Sequence, residues 1–272
     1  IMSRLESAFL NCEKLQDHMR FLLNKGGLYK VYNGNLLYHG CVPLKEDGTL
    51  KSVRLYGRSY KGKSLYEVLE SYVRKGFYAL DKKEKERGKD MMWYIWLSEN
   101  SPLFGKDKMA TFERYFLAEK ETHKEKKNPY YNLLENEKVI HMILKEFGLT
   151  EERAHIINGH VPVKAIAGES PIKCNGKVLV IDGGFSRAYQ KQTGIAGYTL
   201  IYNSYGLILA AHESFESTEA AIEKESDIHS DSVVVKRVLE RKLVGDTDIG
   251  QELKEQIEDL KMLLQAYRSG EI

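Results

Sequence analysis

Two apolar runs in this chain end on the same punctuation. Asn35-Leu36-Leu37-Tyr38 leads into His39-Gly40-Cys41-Val42-Pro43, and Ile156-Ile157-Asn158 leads into Gly159-His160-Val161-Pro162-Val163-Lys164. Each run is short and free of charge, the pattern of a strand buried on both faces. Proline cannot donate to a sheet ladder, so regular pairing stops just beyond each histidine. In open α/β sheets, chemistry collects at the carboxyl ends of the strands. His39 and His160 are therefore candidate site residues.

Imidazole is the commonest metal ligand and needs a fixed ring direction, which a strand end beside a glycine supplies. The expectation is that the two histidines converge on one metal ion. Each also fits an ordinary buried or surface histidine, because the chain has 8 of them and no third protein ligand stands beside either. A hydrolytic two-metal site calls for several carboxylates as well.

A third apolar run, Lys177 to Ile181, reads as a buried strand ending at Asp182-Gly183-Gly184. Asp182 suits an outer contact to a metal site or the shaping of a loop, and it suits equally a plain turn after a strand. Gly183 and Gly184 permit close approach of a phosphate. Lys164, Arg187 and Lys191 are the basic residues nearest these turns in sequence, with Arg suited to a bidentate clamp and Lys to a point charge. Any one of them alone also fits plain surface. Neither a Walker loop nor a dinucleotide fingerprint occurs. Nothing marks Cys41 as a nucleophile, and His212 and His229 read as surface positions.

Helical spacing runs from Leu5 to Leu23, stopped by Gly26-Gly27, and from Leu65 to Leu80. Asn33-Gly34 reads as a turn between two short strands, and Ser52 to Tyr56 as another strand. Asp81 to Asp90 is a run of mixed charge, an exposed helical face or a loop. Met91 to Leu97 fits either a buried strand or the start of a core helix. A short helix ends near Phe116, and another runs from about Tyr131 to Phe147. Gly197 to Asn203 and Leu207 to His212 alternate as an antiparallel pair. Helices are expected over Thr218 to Lys224, Val233 to Lys242 and Ile249 to Tyr267, the last with Asp248 as N-cap and Gln251 three residues on. Roughly residues 215–272 thus read as a helical C-terminal extension. The fold class is α/β, or α+β mixed.

A net charge of +2 over 272 residues gives no nucleic-acid footprint. No apolar run reaches the roughly 20 residues that a membrane span needs. Three cysteines, odd in number and widely spaced, fit a reducing cytoplasm. The opening Ile1-Met2-Ser3-Arg4 enters a helix pattern at once, an odd beginning for a whole protein.

"LLYHGCVP", "INGHVPVK" and "VLVIDGGFSRAYQKQTGIAGYTLIYNS" together resemble the C-terminal half of a calcineurin-like metallophosphoesterase. Within that superfamily, "SPLFGKDKMATFERYF", "INGHVPVK", "DGGFSRAYQKQTGIAGYTL" and "VGDTDIGQELKEQI" are similar to the class III fructose-1,6-bisphosphatases of Firmicutes, in order and over essentially the whole chain. The resemblance implies a four-layer α/β/β/α fold with extra helices. It also implies a pair of divalent ions, Mn²⁺ or Mg²⁺, and hydrolysis of the 1-phosphate of fructose 1,6-bisphosphate in gluconeogenesis. By motif position, His39 and His160 would both bind the second metal. Pro162 stands where many such enzymes carry a further histidine.

The family's Asp-x-His, Gly-Asp-x-x-Asp and Gly-Asn-His motifs, which precede the strand-end histidines, do not precede His39 here. The expectation is a C-terminal portion, inactive alone, whose partners are a sugar bisphosphate and the missing N-terminal half of the same enzyme. No catalytic residue is assigned within it. The alternatives are another metallophosphoesterase, acting on dinucleoside polyphosphates or phosphoproteins, and a non-catalytic assembly or regulatory module. The helices from Thr218 onward are candidates for contacts in a homo-oligomer.

Overall fold

The computed structural model describes residues 1–150, 153–182, 186, 190–191, 193–213, 217–223, 225, 230–237 and 240–272. In chain order the helices are α1 (Met2–Leu10), α2 (Glu13–Lys25), α3 (Gly62–Tyr78), α4 (Lys82–Leu97), α5 (Thr111–Phe116), α6 (Glu137–Glu146), α7 (Thr218–Glu223) and α8 (Asp248–Ser269). The strands are β1 (Tyr29–Tyr32), β2 (Asn35–Tyr38), β3 (Val53–Leu55), β4 (Arg58–Tyr60), β5 (His155–Asn158), β6 (Ile172–Lys173), β7 (Val178–Val180), β8 (Gly197–Asn203), β9 (Gly206–His212) and β10 (Ser230–Arg237). This is a mixed α/β chain, and it divides into two compact units. One holds Ile1–Lys30 and Tyr38–Gly148, the other Val31–Leu37 and Leu149–Ile272.

In the first unit the expected helix from Leu5 to Leu23 is two helices. The break falls at Asn11, whose side-chain amide donates back to the Ser7 carbonyl at 2.8 Å and so competes with the helical ladder. The core is built by α3, α4 and the β3–β4 hairpin, with Val53, Leu55, Leu65, Leu69, Met91 and Ile95 buried together. The ambiguous stretch Asp81 to Leu97 resolves to one helix, α4. Asp81 caps it by accepting the Glu84 N–H at 2.8 Å. Met91 and Ile95, one turn apart, reach the core, while Trp93 and Trp96 stay exposed. Helices α3 and α4 cross at Gly76 and Gly88, where a Cβ on Gly76 would stand 3.0 Å from the Gly88 carbonyl carbon. The helix expected from Tyr131 begins at Glu137 instead. Asn136 caps it by accepting the N–H groups of Lys138 and Val139 at 3.1 and 3.3 Å.

The second unit carries a five-stranded sheet of order β1-β2-β5-β7-β6 and a three-stranded sheet of order β10-β9-β8. β2 runs parallel to β5 with Leu37 beside Ile157, and β5 parallel to β7 with Ile157 beside Leu179. Asn33 (φ 49°) and Gly34 (φ 75°) both take the left-handed conformation that a two-residue type I′ turn between β1 and β2 requires. Ile157 and Leu179 bury against Leu207, with Leu37, Leu200 and Val235 packed around them, so side chains of both sheets share one core.

Two sequence expectations in this unit are corrected. Where a helix is expected from Val233 to Lys242, residues Ser230–Arg237 form strand β10, paired antiparallel with β9 so that Val233 faces Leu209. Three consecutive valines favour the pleated conformation, and an open edge of β9 satisfies their backbone. The stretch from about 215 to 272 is accordingly not helical throughout. The N-cap of α8 is Thr247, whose hydroxyl accepts the Gly250 N–H at 3.1 Å. Asp248 is engaged elsewhere: its carboxylate accepts the Asn33 N–H at 2.8 Å, and its own N–H donates to Asn33 Oδ1 at 3.0 Å. Among the described residues, no helix is long and apolar enough to cross a membrane.

Candidate functional site

β5 is buried along its whole length, and the chain leaves it through a tight turn. His160 sits at φ 66°, and the Val161 N–H donates to the Gly159 carbonyl at 2.8 Å. A bond between residues two apart around a central residue of positive φ is the geometry of the rare, strained γ-turn. A non-glycine residue there costs on the order of 1–3 kcal/mol, and such strain clusters at functional sites. The turn is braced from β7. Ile181 N–H donates to the Asn158 carbonyl at 2.9 Å, and Val163 N–H to the Asp182 carbonyl at 2.8 Å. Asp182 thus holds the outgoing side of the His160 turn through its backbone, and both residues are half-buried.

The basic candidates are less constrained. Lys164 is exposed, and its N–H donates to Glu169 Oε2 at 3.0 Å, which orders the turn that follows. Lys191 is exposed. Gly183, Gly184 and Arg187 lie outside the described residues.

His39 belongs to the first unit and directly follows Tyr38, the last residue of β2. It is exposed, while its neighbours are locked. Tyr38 is buried, its hydroxyl 2.7 Å from that of Tyr130. Cys41 donates its N–H to the Pro102 carbonyl at 2.9 Å and accepts the Tyr66 hydroxyl on its own carbonyl at 2.9 Å. Gly40 is required between them: a Cβ there would lie 2.5 Å from the Pro102 oxygen. Burial pushes the Cys41 thiol up to about 12, so it is a packing residue.

One residue read as plain surface is tied in. His212 lies 2.7 Å from Thr199 Oγ1 through Nε2 and 2.8 Å from Ser230 Oγ through Nδ1, linking all three strands of the smaller sheet. Its partners come from strands apart in sequence, so spacing carries no signal of the ladder. Among the described residues, no group of three or more His, Cys, Asp or Glu is arranged to hold a metal ion.

A mixed sheet whose central strands β2, β5 and β7 run parallel, with a strained histidine turn at a strand end, defines an α/β protein of the kind that places ligand chemistry beyond its strand ends. The chain belongs to the Firmicute fructose-1,6-bisphosphatase family, whose model matches residues 1–269. It is 57% identical over 273 residues to the class 3 fructose-1,6-bisphosphatase of Alkaliphilus metalliredigens strain QYMF, covering 99% of this chain and 41% of that protein. It is 58% identical over 271 residues to the class 3 enzyme of Clostridium novyi strain NT, and 55% identical over 270 residues to one from Clostridium beijerinckii, with the same coverage. The chain thus spans about two fifths (41%) of the length of these relatives. No solved structure matches it.

Proposed function

We propose that the protein carrying this chain hydrolyses fructose 1,6-bisphosphate to fructose 6-phosphate and phosphate, as a cytoplasmic enzyme of gluconeogenesis. The observation that carries this reading is the 57% identity to a class 3 fructose-1,6-bisphosphatase along 99% of the chain. It favours this reaction over a dinucleoside polyphosphatase, a phosphoprotein phosphatase or a non-catalytic assembly module. The four-layer arrangement of the calcineurin-like enzymes is part of the same proposal, supported by the two sheets that share the Ile157, Leu179 and Leu207 core.

His39 and His160 are the imidazole ligands we assign to a divalent ion, Mn²⁺ or Mg²⁺. The support is local: each follows a buried parallel strand beside a glycine, and His160 is held in a strained turn that packing has to maintain. Two imidazoles fit part of such a site. A hard divalent pair also needs oxygen ligands, and no three-ligand cluster forms among the described residues. When bound, the ions would supply Lewis-acid stabilisation of the phosphoryl charge. This chain's residues contribute ligand orientation through the His160 turn, its bracing by the Asp182 carbonyl, and cationic contacts to phosphate oxygens from Lys164, Arg187 and Lys191.

The test is turnover and bound-metal content of the full-length protein with His39→Ala and His160→Ala. Each change is expected to lower kcat by about 100-fold or more, in line with losing a group that orders transition-state charge, and to lower bound metal. Wild-type turnover and metal content in both variants would overturn the assignment.

A further inference from the structure

At the opposite end of β5 from His160, the second unit contains an open recess of about 380 Å³, a volume that includes open solvent. Its lining comes from the β1–β2 turn, the start of β5, the β8–β9 turn and Lys242. His155, the first residue of β5, lies in this lining, while His160 lies two residues beyond the strand's last. Three residue steps of strand alone separate the two ends by about 10 Å. The recess is therefore distinct from the strand-end turn.

The hydrogen-bonding groups still available in this recess are chiefly donors. Asn33 Oδ1 is occupied by the Asp248 N–H at 3.0 Å, and Asn203 Oδ1 by the Tyr205 N–H at 2.9 Å. Because both partners are N–H donors, each amide must turn its oxygen toward them, which fixes the flip. Among the described residues, the –NH₂ groups of Asn33 and Asn203 have no protein acceptor. Tyr202 accepts from Lys242 Nζ at 3.1 Å and keeps its own hydroxyl proton to donate, and Lys242 keeps further ammonium protons. Arg153 makes no ion pair among the described residues. Against these donors stands the Asn35 side-chain oxygen, since its –NH₂ donates to the Tyr32 and Asn33 carbonyls at 3.2 and 3.3 Å. The carboxylate of Asp248 is held on the Asn33 N–H at 2.8 Å, and Asp248 is not part of the lining.

Two cations, two amide donors and a phenol lining one concavity match a tetrahedral oxyanion with several acceptor oxygens. The guanidinium supplies a planar fork and the ammonium a point charge. We propose that this recess binds a phosphate group, as free phosphate or as the phosphate of a small monoester, at a site separate from the strand-end histidines. A position at the amino ends of the parallel strands, away from where such sheets place catalysis, makes it a binding site and not a second reaction centre.

The experiment is a titration of inorganic phosphate into the full-length protein, stripped of metal with EDTA and held at constant ionic strength with chloride, followed by ³¹P line width. Saturable binding is expected, weakened about tenfold or more by Arg153→Gln and by Lys242→Gln, as loss of a charge-assisted hydrogen bond requires, and unchanged by His160→Ala. A parallel titration with glycerol 3-phosphate distinguishes the sources. Tighter binding than phosphate assigns the site to monoesters, and weaker binding to the free anion. Circular dichroism confirms folding of each variant, and both replaced side chains reach solvent. Absence of saturation through roughly 50 mM, well above a millimolar dissociation constant, would overturn the proposal, as would unchanged affinity in either charge variant. With metal removed and no turnover read, the outcome is independent of the proposed phosphatase activity.

Discussion

Gly159 and Val161 are joined carbonyl to N–H at 2.8 Å across His160, closing a three-residue turn with the histidine at φ 66°. A strained non-glycine residue there adds no stability of its own, and that cost is what supports the metal-ligand role proposed for His160.

That relationship separates stability from function. His160→Gly removes the steric cost of the left-handed backbone, partly offset by the greater entropy of glycine in the unfolded chain. The expected result is a protein about 1 kcal/mol more stable by urea denaturation, with metal-dependent turnover lost. Lower stability would show that the turn is not strained.

Gly40 predicts the opposite. Gly40→Ala drives a Cβ to 2.5 Å from the Pro102 oxygen and 3.2 Å from that of Leu103, both of them backbone atoms that cannot rotate away. A loss of about 2–3 kcal/mol is expected from overpacking, read as a drop in Tm. A shift within error would mean that the Pro102 segment yields.

Cys41 is fully buried, and its thiol is pushed up to about 12 by that burial. Cys12 is half-exposed. Iodoacetamide at pH 8 should label Cys12 in the native protein and leave Cys41 untouched until denaturant is added, as mass spectrometry of the peptides would show. Native labelling of Cys41 would contradict its packing.

Glu125 gives a pH dependence. Burial alone would raise its carboxyl, but the Ala110 N–H at 3.0 Å, Lys106 at 3.0 Å and Arg114 at 3.2 Å outweigh it and hold the group below the usual carboxylate range. The unfolded chain binds that proton more readily. The stabilisation is therefore complete above the unfolded value of about 4.3 and fades as pH falls through the lower folded value. Glu125→Gln should cost ~1 kcal/mol at pH 7, a cost that shrinks as the pH is lowered below the unfolded value. A cost that stays constant with falling pH would rule out the charged contacts as its cause.

The sequence by itself determined the strands that carry the histidines, because uncharged runs ended by glycine and proline leave one reading. It also carried the family motifs, so the region's membership was legible from end to end. It did not determine α4, where Met91 to Leu97 is apolar on every side and only packing on α3 selects the helix. Nor did it determine β10, where the valines 233–235 lie in a stretch of helix-like charge spacing until β9 offers an edge to pair with. The His160 backbone, its bracing by Asp182 and the donor-lined recess of Arg153 and Lys242 were decided by tertiary structure alone. Asn33-Gly34 announces its left-handed turn locally, but a left-handed histidine and the convergence of side chains from distant segments are set by long-range hydrogen bonds and packing, which no local pattern of residues encodes.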